Sequence, residues 1–267
     1  MTGTAIIAGG GALPAILKAA CPEALICALE GFAPASVTPD MQFRVERLVP
    51  FWRALQDQGV ERVCFAGAVS RPRLDPSLFD PATAQLVPRL LGAMQAGDDA
   101  TLREVLALFE EAGFAIVAAH EIAPDLLPGP GVLAGAVTPR DEADAARAAQ
   151  IVAALGAVDV GQGCVVAQGL CLAVEALPGT DAMLAAVAQL PVHLRPDPAR
   201  GRGLIYKAPK PGQDRRVDLP AVGPATVTAA AAAGRGGVVW QAGGVMCLDL
   251  PAMQAEAQAR GLFLWAR

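Results

Sequence analysis

Histidine is scarce in this chain. Its 267 residues hold only His120 and His193, which leaves little from which to build a zinc site of imidazole and thiolate ligands. The six cysteines, Cys21, Cys27, Cys64, Cys164, Cys171 and Cys247, include no C-x-x-C pair and mostly sit inside apolar runs. They read as buried thiols of a reducing compartment, not as a disulfide framework. Charge is sparse as well, 18% of residues against 54% hydrophobic, with a mean hydropathy of +0.41, and that balance excludes a disordered chain. A net charge of -5 and a pI near 5.1 give no overall pull toward nucleic acid, so any anion site has to be local. No apolar run approaches the roughly 18 residues that span a bilayer. The apolar stretch 5–17 has no Lys or Arg before it and contains three glycines and Pro14, which makes a poor signal peptide. The expectation is a cytoplasmic protein, soluble or attached to a surface.

What is abundant is glycine and proline, 28 and 22 residues, too many for a simple helical bundle. The first half alternates short apolar runs with helix-like segments: strand 4–8, helix 13–20, strand 24–29, helix 51–58, strand 62–68, helix 99–112 and strand 114–118. Leu102, Val105, Leu106 and Phe109 share one face of the clearest helix, which Gly113 closes. Such alternation implies a parallel sheet with right-handed crossovers. A stretch rich in Pro and Gly, 124–139, marks a boundary. After it come a helix 142–155, two strands (164–167 and 171–177) forming a hairpin, a helix 181–189, a strand 203–207, a helix 226–233, strands 238–242 and 245–248, a helix 251–259 and a strand 262–266. The fold class is therefore α/β, a Rossmann-like N-terminal domain (1–133) joined by a linker (134–140) to a C-terminal α+β domain (141–267), with substrate expected in the crevice between them.

Three groups of residues invite chemistry. Gly9-Gly10-Gly11, after a strand and before a helix, lets backbone approach a phosphate closely. The dinucleotide fingerprint is incomplete, because its third glycine position is Pro14, yet Glu30 mimics a ribose-binding acid and keeps an NAD-dependent oxidoreductase open. Asp98-Asp99 opens the long helix, where acids either cap it or hold a hard cation such as Mg²⁺. The densest polar cluster joins Thr180-Asp181 to Lys207, Lys210, Gln213-Asp214-Arg215-Arg216 and Asp218. Between 195 and 216 the cations Arg195, Arg200, Arg202, Lys207, Lys210, Arg215 and Arg216 face only Asp197 and Asp214, a local positive bias suited to clamping a polyphosphate. His120 reads as a core or cap residue, and no serine or cysteine has a base partner nearby in sequence.

In order along the chain stand Ala8-Gly9-Gly10-Gly11-Ala12-Leu13-Pro14, Gly67-Ala68-Val69-Ser70-Arg71-Pro72, Gly97-Asp98-Asp99, Val160-Gly161-Gln162, Val174-Glu175, Gly179-Thr180-Asp181 and Lys210-Pro211-Gly212-Gln213-Asp214-Arg215, continuing to Asp218-Leu219-Pro220. Together they resemble the LpxI-type UDP-2,3-diacylglucosamine pyrophosphatases of lipid A biosynthesis over essentially the whole chain. The resemblance implies Mg²⁺-dependent hydrolysis of UDP-2,3-diacylglucosamine to UMP and 2,3-diacylglucosamine 1-phosphate, lipid X, by a cytoplasmic enzyme at the inner face of the inner membrane. It implies no nucleic-acid partner and leaves room for a homodimer. Gly10, Gly11, Ala12, Ser70, Arg71, Gln168, Thr180, Lys207, Gln213, Arg215 and Thr226 are the expected substrate contacts. Asp98, Asp99 and Asp181 are the expected metal ligands, and Lys210, Asp214 and Asp218 the expected catalytic group. Where the family pattern reads Gly-Pro-Asp-Thr, this chain has Gly223-Pro224-Ala225-Thr226. The missing acid at Ala225 implies impaired catalysis. A non-catalytic carrier of lipid or nucleotide is the other alternative.

Overall fold

The computed structural model describes residues 3–69 and 72–267, the side chains of Asp98 and Asp99 excepted. Ser70 and Arg71, both expected substrate contacts, thus lie outside the described residues. The chain divides into two units, Met1–Pro124 with Asp214–Val217, and Asp125–Gln213 with Asp218–Arg267.

The first unit runs β1 (Gly3–Ala8), α1 (Leu13–Ala20), β2 (Leu25–Leu29), β3 (Met41–Phe43), α2 (Leu48–Asp57), β4 (Val60–Ala66), α3 (Pro81–Ala84), α4 (Val87–Ala96), α5 (Asp98–Glu111), β5 (Ala115–Ile116) and α6 (Ala119–Ile122). Its described strands pair in the order β3-β2-β1-β4-β5, all parallel. This is the order of a doubly wound sheet, in which the crevice beyond the carboxyl end of β1 is the usual ligand position. β1 and β2 are almost wholly buried apolar runs because helices cover both faces. Phe109 of α5 anchors the core, its ring 5.2 to 6.4 Å from those of Phe51, Trp52, Phe65 and Phe114. Val217 packs on the same cluster, which draws 214–217 into this unit.

The glycine turn beyond β1 is made necessary by its neighbour strand. Gly9 donates to the Ala66 carbonyl (2.8 Å), and Gly10 exchanges hydrogen bonds with Ala68 in an isolated antiparallel bridge. A Cβ on Gly9 would lie 2.5 Å from the Ala68 carbonyl oxygen, whereas one on Gly10 would meet nothing closer than 3.6 Å. Gly9→Ala is therefore expected to cost about 1–3 kcal/mol in a urea titration, because backbone must move. Gly10→Ala is expected to stay within about 0.5 kcal/mol. Equal costs at the two positions would show that close approach is not what selects Gly9.

The second unit runs β6 (Gly131–Ala134), α7 (Pro139–Ala157), β7 (Gly163–Ala167), β8 (Leu170–Val174), α8 (Gly179–Ala188), β9 (Leu204–Lys207), β10 (Ala221–Val222), α9 (Pro224–Ala232), β11 (Gly237–Trp240), β12 (Met246–Cys247), α10 (Leu250–Arg260) and β13 (Phe263–Ala266). The described strands of its main sheet lie in the order β6-β13-β11-β9-β7-β8. The β13-β11-β9 centre is parallel and the flanking pairs are antiparallel, while β10 and β12 form a separate parallel pair. Alternate residues of each strand face opposite cores, as a period of two requires. Val165, Ile205, Val238, Trp240 and Leu264 meet α8, α9 and α10. Cys164, Val166, Leu204, Tyr206 and Val239 pack with Ala145, Ala148 and Val152 of α7. The stretch 134–140, read from sequence as a linker, holds the end of β6 and the Thr138 cap of α7, whereas the units divide between Pro124 and Asp125.

Burial places Cys27, Cys64, Cys164 and Cys247 inside these cores and pushes each thiol up to about 12. A thiol that stays protonated at neutral pH is no nucleophile.

Candidate active site

In the second unit the charged residues gather where β9 ends. Lys207, its last residue, is only 6% exposed. Its ammonium donates to Thr180 Oγ1 at 2.7 Å and to the Ala221 carbonyl at 3.4 Å, and lies 3.7 Å from Glu175 Oε2. Burial pulls the ammonium's pKa down, and the carboxylates of Glu175 and Asp181 work against that pull. Glu175 follows β8 and is admitted by glycines opposite. A Cβ on Gly163 would stand 2.6 Å from Glu175 Oε2, and one on Gly161 2.0 Å from the Glu175 carbonyl oxygen. A buried lysine held this way presents its charge in a medium of low dielectric, where it interacts strongly with an anion.

The loop that leaves β9 is organised by Gln213. Its side-chain oxygen accepts from Gln162 Nε2 (2.8 Å) and from the Lys210 backbone N–H (3.0 Å), and its amide nitrogen donates to Asp218 Oδ2. Ala208 N–H donates to the Gln162 carbonyl. Lys210 reaches Asp159, whose backbone is left-handed (φ 56°), with 2.6 Å between Nζ and Oδ1. Pro209, Pro211 and Pro220 restrict the same segment, so the loop loses little entropy on gripping a ligand.

The structure thus joins Lys207 to Thr180, and Lys210 to Gln213 and Asp218. Asp214 takes a different partner within the first unit. Its carboxylate accepts three side-chain hydrogen bonds and a backbone N–H from Arg216, whose guanidinium also holds Glu110 at 2.6 Å. Those bonds hold the Asp214 carboxyl below the usual carboxylate range, so it is a weak base. Arg215 lies between the two in the same four-residue segment. Gln168 forms the β7-β8 hairpin turn with Gly169, both at positive φ. The Asp144 carboxylate takes both turn N–H groups, and the Gln168 amide donates to the carbonyls of Asp197 and Gly201.

Thr226 Oγ1 accepts from Gly223 N–H at the start of α9, and Ala225 beside it is exposed. In the first unit, Gly10, Gly11 and Ala12 are exposed beyond β1, Gly11 at φ +97° with its carbonyl accepting from Ser36 Oγ at 2.8 Å. Among the described residues no three His, Cys, Asp or Glu side chains cluster as a ready metal cage. Glu175 and Gln162, which the sequence offered only as parts of the motifs and not as site residues, and Asp159, which it did not single out, are structural members of the site. The visible signal was a lone acid closing an apolar strand, Val174-Glu175.

The class that these features define is a two-unit α/β protein with a doubly wound first unit and a buried cation at the carboxyl edge of a mixed second sheet. The chain belongs to the LpxI family. The LpxI N-terminal domain matches residues 3–126 and the LpxI C-terminal domain residues 129–265. Among characterised relatives it is similar to the UDP-2,3-diacylglucosamine pyrophosphatase LpxI of Caulobacter vibrioides, with 42% identity across 97% of this chain and 95% of that protein.

Proposed function

We propose that this chain hydrolyses the diphosphate of UDP-2,3-diacylglucosamine, giving UMP and 2,3-diacylglucosamine 1-phosphate for lipid A biosynthesis. The observation that carries the reading is the buried Lys207, held by Thr180 and Glu175 at the carboxyl end of β9, in a chain similar over 97% of its length to an enzyme of that name. In the reaction a water oxygen attacks one phosphorus, the bridging P–O bond breaks, and the water's protons pass to the two phosphate products and to solvent. Lys207 and Lys210 offset the charge that accumulates on the phosphoryl oxygens as that bond breaks. Gln213 keeps the backbone of Lys210 and the carboxylate of Asp218 fixed while this happens.

Mg²⁺ is the cofactor of this proposal; when bound, it neutralises diphosphate oxygens and sets them for displacement. Such an ion usually takes one or two carboxylates together with substrate phosphates, so the residues present suit it without a three-carboxylate cage. Asp181, exposed in the first turn of α8, is our candidate ligand on the second unit. Asp98 and Asp99 are the candidates on the first.

We propose, too, that the chain works at the cytoplasmic face of the inner membrane, as a peripheral protein and a homodimer. Among the described residues no helix is long and apolar enough to cross a membrane.

The test is release of UMP and lipid X in equal amounts from the purified chain, followed by mass spectrometry. EDTA should abolish it and added Mg²⁺ restore it. Unconsumed substrate with Mg²⁺ present, both in this chain and in its Ala225→Asp variant, would sink the proposal.

A further inference from the structure

The basic run read from sequence as one clamp is split by β9. Lys207 and Lys210 stand at and beyond its carboxyl end, while Arg200 and Arg202 precede its first residue, Leu204. There, at the amino ends of β9, β11 and β13, the second unit holds a cavity of about 970 Å³ lined by Arg140, Asp141, Arg202, Gly236, Leu262 and Phe263, among others. Ligand pockets are typically of this size.

Its lining carries two guanidiniums, Arg140 and Arg202, against one carboxylate, Asp141. The Arg140 guanidinium makes no hydrogen bond or ion pair with the described residues, and its Cδ lies 4.0 Å from where a Cβ of Gly201 would stand, so it leans over the loop that carries Arg202. Arg202 gives one N–H to the Gly261 carbonyl and meets no carboxylate among the described residues. Arg200 and Arg140, with Asp144, also line a smaller cavity of about 280 Å³.

Behind the wall, Arg235 immediately precedes the lining residue Gly236. It is 6% exposed, and its Nη1 is buried without a hydrogen-bond partner. Its one side-chain bond is from Nε to the Ala233 carbonyl at 2.9 Å. A buried guanidinium with no paired carboxylate is costly unless something else supplies negative charge. Asp144 acts on Arg235 only through its field while its carboxylate hydrogen-bonds the hairpin amides, and Asp141 Oδ2 accepts from Thr138 N–H and Oγ1, so neither is paired with a guanidinium among the described residues.

We propose that this cavity is a second anion site, which takes a phosphorylated small molecule of mononucleotide size. Arg140 and Arg202 grip its phosphate, and the apolar wall of Leu262 and Phe263 meets its body. The site lies at the opposite end of β9 from Lys207 and is independent of the hydrolysis proposed above.

The test is a ¹H–¹⁵N NMR titration of the full chain with UMP and, separately, with inorganic phosphate. Both should move the amide signals of Gly201, Gly236 and Gly261, UMP at lower concentration. Arg140→Gln with Arg202→Gln, both exposed positions, should weaken that binding at least about tenfold by removing charge-assisted hydrogen bonds, with UMP release from the lipid substrate unchanged. Shifts confined to the surroundings of Lys207 and Lys210, no shifts at all, or equal affinity in the double variant would each overturn the site. UMP binding no tighter than phosphate would overturn its mononucleotide size.

Discussion

Lys207→Met is expected to lower kcat/KM for UDP-2,3-diacylglucosamine by about 10²–10³-fold, the usual effect of removing one preorganised group that stabilises transition-state charge. The same substitution should also destabilise the fold. Lys207 and Glu175 face each other at 3.7 Å with side-chain exposures of 7% and 12%, and removing one member leaves the other charge buried without its counter-ion, at about 3–5 kcal/mol. The two effects separate in the double variant Lys207→Met with Glu175→Gln. Neutralising Glu175 removes the orphaned charge, so the urea midpoint should recover most of its loss while the rate stays low. If activity recovers together with stability, Lys207 only holds the fold and the proposed role is wrong. A rate within about threefold of the parent in the single variant has the same consequence, since less than 1 kcal/mol of barrier would then be at stake.

The identity of that pair shows where sequence stops informing. Lys207 could be placed at the end of a strand from Leu204-Ile205-Tyr206, an apolar run followed by a charge and then Pro209. Its partner could not, because Glu175, 32 residues earlier, is brought to it by strand pairing, and register is a long-range property. The main strands were legible because cores on both faces make them continuous apolar runs. β3 escaped notice for the opposite reason: it is a three-residue strand, with Met41 and Phe43 only partly buried and Gln42 exposed. β6 escaped because Pro and Gly surround it, although β13 recruits it as an edge strand. Charge density misled in a related way. The run from Arg195 to Arg216 looks like one surface in sequence, yet four strand residues carry the chain from Arg202's end of the sheet to Lys207's, about 10–13 Å at strand rise. Asp214 and Arg216, two residues apart, spend their charge on each other and on Glu110. Local composition records which charges are present, but tertiary structure decides which remain available.

Ala225→Asp is expected to raise the rate of UMP release by about 10²–10⁴-fold, the range that a positioned general base contributes. Ala225 is exposed in the first turn of α9, a turn with no acidic residue. It stands four residues after Ala221, whose carbonyl accepts from Lys207. A carboxylate introduced there meets the positive end of the helix dipole, so it should also stabilise the protein by about 0.3–1 kcal/mol, and the fold is not put at risk by the test. The dipole favours the ionised form, which is the form a base needs at neutral pH. The measurement is kcat at saturating substrate with Mg²⁺ present, compared with Ala225→Asn, which keeps the side chain's size and hydrogen-bonding ability but cannot accept a proton. A gain in Asp that Asn does not share assigns the position to proton transfer. A gain shared by both would assign it to helix geometry or substrate contact. Equal rates in all three chains would mean that Ala225 costs the enzyme nothing, and the water would then have to be activated by a carboxylate already present, Asp218 first among them because Gln213 holds it beside Lys210.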